Sequence, residues 1–230
     1  MLTTNKKFKS NKITHHGYER FYDYFLCPFK DVKFNFLEIG IDQGRSLKLW
    51  NEYFTNATIY GMDINESYTH KKGKVIKGDQ SNKKDLNRVI KEIKVSKFII
   101  DDGSHKPEHQ LITFNHLFKN LLEGDGIYII EDIETSYWRK AELYGYKINA
   151  GYDAKNNIVT IFKNIVDIVN REFLLEEHIE YIKKFNKIDF DNLKYISFIA
   201  FAQNCIIIKK MTQERYEKYG KRKYRFANAL

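Results

Sequence analysis

The sequence predicts an α/β protein built on a mostly parallel, seven-stranded sheet. Three observations predict it. Apolar runs of strand length alternate with amphipathic stretches of helix length from about residue 35. Several of those runs close on Gly or Asp, and two closely linked apolar runs end the pattern. Alternation of this kind builds βαβ units, whereas so short a final link allows only an antiparallel hairpin at the sheet edge.

In chain order, residues 34–41 (FNFLEIGI) read as a buried strand ending near Gly40, and 45–54 (RSLKLWNEYF) as an amphipathic helix. Residues 57–64 (ATIYGMDI) form a second strand with Asp63 near its end, and 74–79 (KVIKGD) a shorter third ending in Asp79. A helix over 82–93, a strand over 97–102, a helix over 106–122 and a strand over 126–131 follow. Residues 157–186 suggest one or two helices, and YISFIAF (195–201) with NCIIIKK (204–210) the closing hairpin. The early HHGYERFYDYF suggests a helix or lid near a site mouth.

At 230 residues and 43% hydrophobic content the chain suits one sizeable soluble domain. The net charge of +9 is gathered at the ends: four lysines without an acid in 1–12, and eight basic against two acidic residues in 209–225. Such ends either solubilise or meet a pyrophosphate-bearing substrate, a nucleic acid or a partner subunit. Cys27 and Cys205 stand far apart, which suggests neither a disulfide framework nor a thiolate zinc site. No apolar signal core opens the chain, and no run approaches the roughly 18 apolar residues of a membrane span, so a cytoplasmic protein without a membrane partner is expected.

Two groups of residues carry chemistry. In Glu38-Ile39-Gly40-Ile41-Asp42-Gln43-Gly44, the E-x-G-x-x-x-G spacing lets a ligand approach the backbone before a helix begins. It departs from G-x-G-x-x-G, which weakens a dinucleotide reading. Asp63 after the second strand suits a ribose diol, and Asp79-Gln80 after the third can flank an adenine. The second group is Asp101-Asp102-Gly103-Ser104-His105 with Glu131-Asp132. Each cluster closes an apolar run, and a helix lies between them, so both open into one crevice at adjacent strand ends. Like charges so close raise one another's pKa unless a cation sits among them. A divalent metal (Mg, Mn or Fe) with a neighbouring base is the expectation, since hard oxygen ligands suit such ions.

The strand-end acids resemble the cofactor site of the Rossmann-like class I S-adenosylmethionine-dependent methyltransferases. Within that class, FIIDDGSHKPEHQLITFNHLFKNLLEGDGIYIIEDIETSYW (98–138), with HHGYERFYDYF and GIDQGRSLKLW, resembles the metal-dependent sugar O-methyltransferases of the mycinamicin type and relatives called cephalosporin hydroxylases. The resemblance covers roughly residues 13–170, and DDGSH and IEDIETSYW are its most specific elements. It implies a methyltransferase domain over 34–210, between an N-terminal lid (1–33) and a basic tail (211–230). It also implies S-adenosylmethionine held by Glu38, Gly40, Gly44, Ser46, Asp63, Asp79, Gln80 and Asp101, a metal held by Asp102, Glu131 and Asp132, and His105 as general base. His15, His16, Tyr18, Tyr137 and Trp138 are the candidate substrate residues. His109 and His116 are read as structural.

The expected reaction is methyl transfer to a sugar hydroxyl. A nucleotide-activated sugar for a surface polysaccharide is the specific acceptor suggested by the basic ends, and a homo-oligomer is implied by the resemblance alone. Catechol-type enzymes carry an Asp-Asn pair where this chain has Glu131-Asp132, which favours the sugar family. Two rivals stand beside this reading: an RNA-binding protein or RNA methyltransferase using the basic tails, and a metal-dependent hydroxylase, which commonly needs two histidines and one carboxylate.

Overall fold

The computed structural model describes residues 2, 10–65, 73–185 and 187–220. Parts of the expected lid (3–9) and of the basic tail (221–230) lie outside them.

Five parallel strands form the body of the sheet: β1 (Asn35–Ile39), β2 (Thr58–Asp63), β3 (Gly73–Lys77), β4 (Ser96–Asp101) and β5 (Leu122–Glu131). The hairpin β8 (Ile196–Ala202) and β9 (Cys205–Lys210) completes it, in the order β3-β2-β1-β4-β5-β9-β8. As expected, β9 runs antiparallel to β5, and β8 antiparallel to β9. The strand order reverses direction between β1 and β4, the place where an open α/β sheet leaves a crevice beyond its strand ends.

Helices α3 (Arg45–Tyr53), α4 (Lys83–Ile93) and α5 (Pro107–Asn120) make the crossovers. Each start has a local cause. Gly44 supplies a left-handed residue (φ 69°) before α3. Asn82 caps α4 by accepting from the Lys84 amide, and Pro107 sits in the first turn of α5. Strand β5 starts earlier than the sequence suggests, at Leu122, because an irregularity in its pairing with β4 absorbs the Gly124-Asp125-Gly126 turn signal. Residues 157–186 resolve into α6 (Ile158–Lys163), a kinked 3-10 segment (Val166–Phe173) and α7 (Glu176–Phe185). An unanticipated two-stranded ribbon, β6 (Ala141–Leu143) and β7 (Tyr146–Ile148), lies between β5 and α6.

Because strand side chains alternate between faces, the sheet buries two cores. Leu37, Ile39, Ile99, Tyr128 and Ile130 pack on the α4–α5 side. Phe36, Phe98, Ile100, Ile127 and Ile129 pack on the other, under α3 and the N-terminal helix α2 (Glu19–Leu26). Trp50 is fully buried there with its ring 5.2 Å from Phe36, and truncating so large a core aromatic costs about 3–5 kcal/mol. Helix α2 presents Tyr22 and Leu26 inward, which draws the N-terminal segment onto the strand ends. Among the described residues no helix is long and apolar enough to cross a membrane.

Candidate active site

A cavity of about 440 Å³ opens at the C-terminal ends of β1, β2 and β4, within the roughly 300–1,000 Å³ of small-molecule sites. Gly40, Ser46, Asp63, Asp79 and Gln80 line it together with Asp102, His105 and Asp132. Gly40 is required by shape. Its φ is +80°, and a Cβ there would stand 1.9 Å from the Asp102 carbonyl oxygen, so the end of β1 and the loop after β4 touch backbone to backbone. Asp63 Oδ2 accepts from the Ile41 and Asp42 amides at 2.9 and 3.2 Å, which fixes the carboxylate beside the loop after β1.

Three residues expected to touch the cofactor do not line this cavity. Asp101 is fully buried on the α5 side, where its carboxylate accepts from Gln80 Nε2 (2.8 Å) and the Tyr128 hydroxyl (3.3 Å). Burial pushes its carboxyl up to about 6, against the hydrogen bonds that favour the charge. Glu38 is equally buried but points to the opposite face, and Gly44 serves as the N-cap of α3. Asp101 acts through Gln80, whose Oε1 accepts from the Ser104 amide at 2.6 Å and so shapes the loop that carries His105.

Asp102, His105 and Asp132 converge, each offering a ligand atom within 4.8 Å of the others. Both carboxylates have one oxygen anchored and the other turned to the shared space. Asp132 Oδ1 accepts from the Tyr18 hydroxyl (2.7 Å) and Asn204 Nδ2 (2.9 Å), while Oδ2 lies 3.7 Å from His105 Nε2. Asp102 Oδ2 accepts from Lys12 Nζ (2.6 Å), while Oδ1 lies 4.0 Å from His105 Nδ1. Positive φ at His105 (55°) and Asp132 (50°) turns these two side chains toward one another. His105 Nδ1 is buried without a hydrogen-bond partner.

Glu131, expected as a third metal ligand, is not brought into this group. Glu131 follows Ile127 and Ile129 on the face under α2, as Asp102 follows Phe98 and Ile100. There Tyr22 donates to Glu131 Oε1 and Lys12 to Oε2, each at 2.5 Å. Lys12, unremarked in the sequence, is 2% exposed and also reaches Glu38 Oε1 at 3.1 Å. Burial opposes its charge, yet the field of Asp102, Glu131 and Glu38 outweighs that penalty and holds the ammonium protonated. The same burial raises the Glu131 and Glu38 carboxyls. Nothing in local spacing announces Lys12, since two of its ion-pair partners lie 90 and 119 residues away along the chain and the third, Glu38, belongs to another element.

Of the candidate substrate residues, Tyr18 and His16 approach Asp132, His16 Nδ1 at 3.8 Å from its carboxylate. His15 is exposed, with its ring edge against His16. Tyr137 and Trp138 end the 3-10 turn after Asp132 and do not line the cavity. Tyr144 and Tyr146 of the β6–β7 ribbon do, and the Tyr144 ring sits 5.6 Å from His105. His109 supports the site from behind, its Nδ1 2.9 Å from Ser104 Oγ and its ring against Tyr146, and His116 pairs with Asn87.

No family model matches the chain, but relatives and solved structures do. The chain is 35% identical over 138 residues to an 8-demethyl-8-alpha-L-rhamnosyl tetracenomycin-C 2'-O-methyltransferase of Streptomyces olivaceus, which takes in 56% of this chain and 36% of that protein. It is 32% identical over 166 residues to an L-olivosyl-oleandolide 3-O-methyltransferase of Streptomyces antibioticus, 68% of this chain and 42% of that one. A mycinamicin VI 2''-O-methyltransferase of Micromonospora griseorubida matches at 33% over 54% of the chain and 33% of its own length. The chain thus spans less than half the length of these curated relatives. MycE methyltransferase of the mycinamycin pathway, solved with Mg and SAH, superposes with a TM-score of 0.77 at 23% identity, over 92% of this chain and 53% of that one. Sequence and fold together make the chain a homologue of the macrolide and tetracenomycin sugar O-methyltransferases, on the class I methyltransferase fold.

Proposed function

We propose that the chain is a metal-dependent S-adenosylmethionine:sugar O-methyltransferase that methylates a sugar hydroxyl of a small molecule. The observation that carries the reading is the convergence of Asp102, His105 and Asp132 in a cavity that Gly40, Asp63 and Asp79 also line.

The donor set fits a divalent ion. Two carboxylates each present one open oxygen, and the 4.8 Å spread is a little wider than bonds of about 2.1 Å would span, so the group would draw in slightly around Mg²⁺. Ions of this kind take one or two protein carboxylates and leave positions for substrate oxygens. The cofactor end also fits, with Asp63 placed for a ribose diol and the backbone of Gly40 bare of a side chain.

When bound, S-adenosylmethionine supplies the methyl group and the ion lowers the pKa of a coordinated hydroxyl. Asp102 and Asp132 would hold the ion. His105, 3.7 to 4.0 Å from both carboxylates, accepts the hydroxyl proton, a task worth about 10²- to 10⁴-fold. Tyr18 and Asn204 keep Asp132 oriented, and Gln80 with Asp101 holds the loop that presents His105. Tyr144, with its ring 5.6 Å from His105, walls the acceptor side with an aromatic face, which packs on sugar C–H surfaces.

The names of two of the relatives specify sugars, on tetracenomycin and oleandolide, and the third names mycinamicin VI. A nucleotide-activated sugar has no counterpart among them, so the acceptor proposed is a sugar on a glycosylated small molecule. The test is transfer of labelled methyl from S-adenosylmethionine to glycosylated polyketides and nucleotide sugars, with chelator and Mg²⁺ add-back. Transfer that stops with chelator and returns with Mg²⁺ is expected. Transfer indifferent to chelator would overturn the metal reading.

A further inference from the structure

His105 lacks the hydrogen bond that usually steers a basic histidine. The orientation of an imidazole is ordinarily set by what its second ring nitrogen binds, yet Nδ1 of His105 is buried without a partner among the described residues. Nε2 stands 3.7 Å from Asp132 Oδ2, beyond hydrogen-bond distance. What points this side chain into the cavity is therefore its backbone.

That backbone is held in a conformation uncommon for a residue with a side chain. His105 has a φ of 55°, in the left-handed region, where a residue persists only if its surroundings fix it. On one side, the preceding amide, that of Ser104, donates to Gln80 Oε1 at 2.6 Å. On the other, the His105 carbonyl accepts from the Thr135 hydroxyl at 2.6 Å. Thr135 is fully buried and lies in the 3-10 turn (Ile133–Tyr137) that Asp132 opens. The turn is anchored independently of His105. Asn204 Oδ1 accepts from the Glu134 amide at 3.0 Å, and Asn204 Nδ2 donates to Asp132 Oδ1 at 2.9 Å. Tyr18, just beyond α1 (Asn11–Thr14), donates to that same oxygen at 2.7 Å. The Thr135 hydroxyl thus ties the loop after β4 to a turn whose place is already fixed.

We propose that Thr135 is a positioning residue for proton removal: its hydroxyl holds His105 left-handed and so keeps the imidazole facing Asp132 across the gap between two strand ends. The inference rests on His105 as the base of the proposed function. Without the hydroxyl, the His105 carbonyl loses its donor, and the residue relaxes toward negative φ and swings its ring away from the acceptor hydroxyl. Thr135 does not line the cavity, so binding survives while the chemical step slows.

The test compares Thr135→Val, which keeps the shape and removes the hydroxyl, with Thr135→Ser, which keeps the hydroxyl. Methyl transfer with Mg²⁺ is followed on whichever acceptor of the panel above the parent methylates. Thr135→Val should lower kcat by about tenfold or more with both KM values within about twofold of the parent, and Thr135→Ser should stay within about threefold throughout. A second readout needs no acceptor. In protein carrying isotope-labelled histidine, the one-bond Cα–Hα coupling of His105 is assigned by its loss in His105→Asn. It should take its positive-φ value in the parent and in Thr135→Ser, and its negative-φ value in Thr135→Val. If Thr135→Val does not fold, the same two results are required of Thr135→Ala, which leaves room for a water. A hydroxyl-free variant that matches the parent in kcat or in coupling would overturn the proposal. Equal loss in Thr135→Ser would overturn it too, because the residue would then act by packing. An active parent with the wrong variant pattern removes the role of Thr135 alone. A parent that methylates no acceptor removes the proposed function and this role with it.

Discussion

The two faces of the sheet handle buried acids in opposite ways at the same strand ends. Under α2, Glu38, Asp102 and Glu131 surround an ammonium brought from another part of the chain. Under α5, Asp101 sits among neutral donors, Gln80 and Tyr128, with no cation in hydrogen-bonding contact among the described residues. Asp101 and Asp102 are neighbours in sequence, so one step along a pleated strand separates an ionic cluster from a neutral hydrogen-bond chain. The contrast teaches that the acids of this site are not interchangeable: those on one face set charge, and the one on the other sets the shape of a loop.

Breaking the ionic face should have the largest effect on stability. Lys12→Ala strands two buried carboxylates, Glu38 and Glu131, beside the partly buried Asp102, and in metal-free protein the unfolding free energy should fall by about 3–5 kcal/mol, as when one partner of a buried pair is removed. Denaturant titration would show it, and a loss under 1 kcal/mol would mean that water already reaches the cluster.

The neutral face should show itself through pH. An acid with a folded pKa of about 6 and an unfolded value of about 3.9 destabilises the fold as it ionises. The cost is absent below about pH 4, grows as pH rises, and reaches about 3 kcal/mol above about pH 6. Asp101→Asn cannot ionise, so in metal-free protein its stability relative to the parent should climb across that window. Parallel stability curves between pH 4 and 7 would remove the contrast between the faces.

Asp132 follows β5 and reaches Tyr18, Asn204 and His105. Asp132→Ala should lower methyl transfer by at least about 10²-fold, the scale on which a lost ligand or its support is felt, while leaving the melting temperature closer to the parent than Lys12→Ala does. Equal losses of stability in the two variants would mark Asp132 as a structural acid.

The smallest change in stability belongs to the acceptor side. Tyr144 is 70% exposed, so Tyr144→Ala should shift stability by no more than about 0.5 kcal/mol. Its effect should appear in KM for the acceptor, with KM for the donor unchanged.

Much of this architecture was legible beforehand. The parallel body, the antiparallel closing hairpin and the strand-end positions of Gly40, Asp63, Asp79, Asp102 and Asp132 follow from apolar runs ending in Gly or Asp. The face on which each acid lies was written in the same runs, since Phe98, Ile100 and Asp102 share a parity that Asp101 lacks, as do Ile127, Ile129 and Glu131. Reading clusters as clumps of charge hid that parity, and with it the contacts of Glu131 with Lys12 and Tyr22. Lys12 was invisible for a different reason, because its contacts span most of the sheet and leave no trace in local spacing. The β6–β7 ribbon has strands of three residues, too short to show alternation. Its one signal was the turn, where Tyr144 and Gly145 both take positive φ (51° and 78°), the conformation that an X-Gly pair favours in tight hairpins.

That ribbon pairs with itself and not with the seven-stranded sheet, yet its tip reaches the cavity through Tyr144. Its register is set by its own turn, so a residue inserted or exchanged between β6 and β7 slips no strand of the main sheet and moves none of the acids. Under the proposed function, acceptor preference drifts by changes at this tip alone, while Asp63, Asp79, Asp102 and Asp132 stay as they are. Relatives that share this sheet should accordingly differ most, in length and side chain, at the position of Tyr144.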